Sequence, residues 1–124
     1  MKLRVAKRLH DGLVAAQHIE QFVSGRTFDD YQSDIYFRSA VERQFEILSE
    51  SLKKASNRDS SLFKTIPEIA PIITMRNRIA HSYDVLDDAI VWKAATELVP
   101  ELSVRLQELL SEFHDPSMLE FEPH

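Results

Sequence analysis

Two glycines, Gly12 and Gly25, are all that the 124 residues contain. A β-rich domain of this length turns many times and draws on glycine for the positive φ those turns need. Apolar residues recur at steps of three and four rather than alternating, the helical period. The chain therefore reads as all-α: an antiparallel up-and-down bundle of four to five helices.

The spacing predicts a first helix over about Leu3 to Val23, with Leu9, Leu13, Ala16, Ile19 and Val23 in register and Gly25 at the glycine position beyond its end. A short loop from Arg26 to about Gln32 follows, with one helical turn around Phe28 to Tyr31. Ser33 or Asp34 can cap a second long helix to about Ala55. That helix carries two apolar stripes: Val41, Phe45, Leu48 and Leu52; and Phe37, Ala40, Ile47 with small Ser51. Such width means burial on two sides, either because a second subunit covers one side or because this is the central helix.

Residues 56–66 read as a polar loop with one turn near Leu62. Pro67 and Pro71 place the start of a third helix near Pro71, since proline suits a first turn and not an interior. It carries Ile72, Ile73, Met75, Ile79 and Ala80 and frays between His81 and Asp84. Asp87 reads as the N-cap of a fourth helix through about Leu98, and Pro100 starts or kinks a fifth with Leu102, Leu106, Leu109, Leu110 and Phe113 on one face. Trp92 and Phe113 are core candidates. One domain spans 1–114, and 115–124 is an acidic tail.

Composition narrows the function classes. Without cysteine, thiol nucleophiles, disulfides and cysteine-ligated metals are excluded, and a reducing cytoplasm is the expected compartment. The net charge of -5 argues against blanket phosphate binding, so any nucleic-acid contact must be local. The opening Met1-Lys2-Leu3-Arg4 resembles the start of a leader, but His10, Asp11, Gln17 and His18 interrupt the apolar run such a leader needs. No stretch is apolar enough to span a membrane.

The densest polar cluster is Arg76-Asn77-Arg78-Ile79-Ala80-His81-Ser82-Tyr83-Asp84. Asn77 and His81 stand four apart and share a helix face, while Arg76 lies roughly 140° around from His81. The two could line separate walls of a cleft or meet groups from a two-fold mate. An imidazole beside guanidinium groups suits RNA cleavage by the RNA's own 2′-hydroxyl: one group moves the proton and the other stabilises the phosphorane-like charge, with no metal required. The plainer reading makes His81 a cap or surface residue, Arg76 and Arg78 solvated or paired with Glu50, Asp84 or Asp87, and Tyr83 a core-edge aromatic.

The run from Arg76 to Tyr83 resembles the Arg-x4-His-x-Tyr signature of the HEPN superfamily. More narrowly, the chain is similar to HepT-like toxins encoded beside minimal nucleotidyltransferase antitoxins. The likeness extends through Thr27-Phe28-Asp29-Asp30-Tyr31, Glu46-Ile47-Leu48-Ser49-Glu50, Met75-Arg76-Asn77, Ile90-Val91-Trp92 and Val99-Pro100-Glu101-Leu102. It implies a bundle that forms a homodimer or a higher assembly, with the signature helices facing a shared cleft. It also implies a metal-independent endoribonuclease, with RNA as substrate, no cofactor and a cognate nucleotidyltransferase as partner. By position, Arg76 and His81 are the implied catalytic pair, Asn77 and Arg78 supporting polar or phosphate-binding groups, and Tyr83 the possible AMP acceptor. Two departures stand out. Ser49 replaces a frequent glycine, and Arg78-Ile79-Ala80 replaces a usual apolar run. The competing expectation is a non-catalytic subunit that holds nucleotide, or the substrate of a partner nucleotidyltransferase, in the same cleft.

No other group competes. His10, His18, His114 and His124 lack metal-ligand spacing. Asp29, Asp30 and Asp34, like Asp84, Asp87 and Asp88, are explained by capping and solubility rather than by a cation site.

Overall fold

A computed structural model describes residues 1–80 and 85–113. Among these the chain is all-α. Helix α1 runs Leu3–Val23, α2 Phe28–Ser33, α3 Ile35–Arg58, α4 Leu62–Thr65, α5 Ile69–Ala80, α6 Val85–Lys93 and α7 Val99–Ser111, with a π turn over Ala94–Leu98. No described helix is long and apolar enough to cross a membrane. His81, Ser82, Tyr83 and Asp84, and the acidic tail, lie outside the described residues.

The α1–α3 pair is the spine. Leu9, Ala16 and Ile19 from α1 and Val41, Phe45, Leu48 and Leu52 from α3 are completely buried. Gly12 faces α3 in this contact: a methyl group there would meet Leu48 and Leu52 at 3.5 Å, ordinary packing distance, so an alanine would also fit. His18 Nδ1 lies 3.1 Å from Gln44 Oε1 and its ring stacks on Phe22, so this histidine joins helices. α3 also packs against α2, α4 and α5, which makes it the central helix. That position accounts for buried Phe37 and Ser51 in its second stripe, whereas Ala40 and Ile47 stay half-buried.

The corner before α3 is fixed by capping. Thr27 Oγ1 accepts from the Asp30 amide at 3.1 Å, and the Asp30 carboxylate accepts from the Thr27 amide at 2.9 Å, a reciprocal capping box. Asp34 Oδ1 accepts from the Tyr36 and Phe37 amides at the start of α3. Arg26 bridges Asp30 and Asp34 at 3.4 and 3.1 Å and lies over the Phe37 ring. Those backbone hydrogen bonds, from Thr27 to Asp30 and from Phe37 to Asp34, hold both carboxyls below the usual carboxylate range, with Arg26 adding to it. Gly25 closes α1 at φ 74.

Two boundaries differ from the sequence expectation. α5 begins at Ile69, before Pro71, because a proline in the first turn gives up an amide that has no intrahelical partner anyway. Asp87 does not cap α6; it sits inside the first turn of a helix that opens at Val85. The expected fourth and fifth helices are one continuous helical run through the π turn. Pro100 has no amide to donate and its ring crowds the carbonyl one turn earlier, and the widened turn relieves that conflict. Arg105 then reaches Glu68 at 2.8 and 3.1 Å, a two-point pair on a buried carboxylate that ties α7 to the entry of α5.

Candidate active site

α5 presents its polar residues by burying the others. Ile72, Met75 and Ile79 recur at steps of three and four and face the core. Ser49, itself buried, brings α3 and α5 together, its hydroxyl donating to the Ile72 carbonyl oxygen at 3.1 Å. A larger residue there would push α5 away, which explains why serine can stand in for glycine. With that stripe inward, Arg76 and Asn77 are left exposed and Arg78 half-buried on the flank toward α6.

Beside Arg76 runs the outer face of α3. Lys54 lies 3.2 Å from Glu50, and Arg43 lies 3.1 Å from Glu46. The Glu50 carboxyl is held below the usual range, first by the Lys54 ammonium and then by the nearby guanidinium groups of Arg76 and Arg43. Arg76 therefore lies near Glu50 on the outer face of α3, where the cations Arg43 and Lys54 are each answered by a glutamate. The alternation of charges at helical spacing along α3 is visible in the sequence. Its placement against Arg76 is not, because it depends on how α3 and α5 pack.

Arg78 takes a different course. Its Nη1 lies 2.8 Å from Asp87 Oδ1, an ion pair that joins the end of α5 to the start of α6. The neighbouring Asp88 is buried, with Arg38 of α3 at 4.0 Å. Asp88, Arg38 and Glu42 surround the Tyr31 hydroxyl, whose pKa is pushed up by burial first and by the two carboxylates next. The Asp87–Asp88 pair thus does structural work at the junction, and sequence alone assigned it to capping and solubility. Two sequence-predicted residues, His81 and Tyr83, lie outside the described residues. Among the described residues no group of three or more histidine or carboxylate ligands gathers to hold a metal.

Comparison with known proteins adds a second line. The profile of the ribonuclease HepT-like family matches residues 13–109. A protein of Thermococcus cleftensis called “probable ribonuclease HepT” is 32% identical over 103 residues, covering 82% of this chain and 91% of that protein. A Methanocaldococcus jannaschii protein named as a candidate RNase is 25% identical over 99 residues, covering 80% and 90%. A Caldanaerobacter subterraneus protein named in the same way is 29% identical over 90 residues, covering 71% and 78%. No solved structure matches the chain.

Proposed function

The chain belongs to the ribonuclease HepT-like family, and from that premise we propose that it is a metal-independent endoribonuclease, the toxin of a toxin–antitoxin pair. Its catalytic residues are Arg76 and His81. The observation that carries this reading is the exposure of Arg76 and Asn77 on the outer side of α5. A guanidinium exposed at the surface is placed to meet a phosphodiester, whereas one spent in a buried ion pair is not.

In the reaction, His81 accepts the proton of an RNA 2′-hydroxyl as its oxygen attacks the adjacent phosphorus. The bond to the 5′-oxygen breaks, that oxygen takes up a proton, and a 2′,3′-cyclic phosphate remains. Arg76 stabilises the extra negative charge on the phosphoryl oxygens at the crowded intermediate stage. Asn77 is positioned to hydrogen-bond the backbone. Arg78 is engaged by Asp87 and contributes to phosphate binding from that tethered position. A homodimer that brings two signature helices to one cleft completes the site. A cognate minimal nucleotidyltransferase silences it by placing AMP on Tyr83, since an added phosphate in a cationic cleft opposes RNA by charge and bulk.

The test is cleavage of RNA by the purified protein in a chelator, compared with Arg76→Ala and His81→Ala. Activity in the wild type and its loss in both variants is the expected result. Intact RNA with the wild type, or equal cutting by His81→Ala, ends the enzyme reading. Nucleotide binding without RNA turnover would instead favour the accessory-subunit alternative. AMP incorporation that persists in Tyr83→Phe would remove the proposed mode of silencing.

A further inference from the structure

On the flank of α5 facing away from Glu50, a groove of about 300 Å³ opens between α5, α6, the π turn and α7. Its floor is apolar: Met75 from α5, with Ile90, Ala94 and Leu98 from the continuous helix. The last three recur at steps of four, so the floor is a strip about 12 Å long, two helical turns. Along one edge stand Glu97 and Glu101, again four apart and both exposed. Lys93 also lines it, so the groove carries two carboxylates against one ammonium. The widened turn at Ala94–Leu98 lies in the wall of this groove, and such turns often occur where a helix serves a binding surface.

The geometry points to this groove as the docking site for a basic amphipathic helix of a partner protein. Such a helix would lay two turns of apolar side chains along the floor and set lysine or arginine against Glu97 and Glu101, the helix-in-groove mode. Charge selects this occupant over the chain's own tail. Residues 115–124 carry Asp115, Glu120 and Glu122 and no lysine or arginine, so they would meet the acidic edge with like charge. Beyond Arg105, Glu108 and Glu112 add further carboxylates on the exposed face of α7. The inference does not depend on the ribonuclease reading.

The experiment measures binding of a labelled helical leucine–lysine peptide, and of its leucine–glutamate counterpart, to the full chain. Glu97→Lys combined with Glu101→Lys should weaken the lysine peptide about tenfold or more and strengthen the glutamate peptide. Both residues are exposed, so this variant keeps its core. Asp11→Lys with Asp29→Lys makes the same change in net charge away from the groove and should leave affinity within about twofold. Ala94→Phe fills the floor and should also weaken binding, with circular dichroism confirming its fold. Equal weakening by the two double variants would reduce the effect to bulk charge and overturn the proposal. Loss of a dimer in Ala94→Phe would assign the groove to a second copy, and tighter peptide binding after removal of residues 114–124 would assign it to the tail. Either result would overturn it as well.

Discussion

The α1–α3 spine and the α5–α6 junction are built on opposite terms. In the spine every large side chain on the inner stripe is sealed, and the corner from Thr27 to Phe37 is held by caps. At the junction, Arg76 and Asn77 face outward, Val85 and Leu86 are 63% and 65% exposed, and among the described residues the half-exposed Arg78–Asp87 ion pair links α5 to α6. Helix formation alone needs none of these exposed groups. The spine thus carries the fold, and the junction carries the proposed site.

Mutations can break that division. The largest expected effect is in the spine: Phe45→Ala removes a fully buried ring and should cost about 3–5 kcal/mol in denaturant unfolding. An effect below about 1 kcal/mol would show that α1 and α3 repack freely and are no spine. Next comes Arg76→Ala, expected to lower RNA cleavage by about 10²–10³-fold while shifting unfolding by less than about 0.5 kcal/mol. A large loss of stability would move Arg76 to the structural side. Thr27→Ala removes the reciprocal cap of α2 and should cost about 1 kcal/mol, with cleavage unchanged.

Smaller is the acid response of the same corner. Asp30 and Asp34 have folded pKa values below their unfolded ones, so their contribution is full above about pH 4 and is lost as pH falls through the lower folded values. Trp92, the chain's one tryptophan, packs on Tyr31 and Phe37 and reports it by fluorescence. A signal that begins to change well above pH 5 would place the acid-sensitive step elsewhere. Smallest is the Arg78–Asp87 coupling, about 1 kcal/mol or less in a double-mutant cycle because Arg78 is half-exposed. If Arg78→Ala nonetheless impairs cleavage as severely as Arg76→Ala, the pair acts on chemistry rather than on stability.

Sequence revealed the spine almost completely and the junction only in outline. The limits of α1, the glycine after it and a cap at Ser33 or Asp34 follow from local rules, because each rests on groups acting on their own backbone; the structure selects Asp34. The α-helical class follows from period alone. What stayed hidden needed tertiary knowledge. Nothing local says that Arg78 will find Asp87 rather than Glu50, or that Arg43 and Lys54 will stand beside Arg76. Pro100 reads correctly as starting or kinking a helix, since α7 carries it in its first turn; the π turn that joins α7 to α6 was not legible, because it depends on how the two segments pack. At the candidate site, Arg76 and His81 come from the resemblance of their motif; the fold leaves Arg76 exposed, and His81 lies outside the described residues.

The π turn also sets rotational phase. Val91, Ala95 and Val99 all face inward although each is four residues from the last, and a plain α-helix would drift by roughly 80° over those two steps. One surplus residue in the turn absorbs that drift and delivers Leu102, Leu106 and Arg105 at the correct bearing. Deleting one residue between Ala94 and Leu98 would let a plain α-helix span the same two turns, since seven residues at roughly 100° each fall within about 20° of the present bearing, and Arg105 would still reach Glu68. The length of this short segment can therefore change by one residue without redesign of the final helix, whereas a change of two would turn that helix off its core.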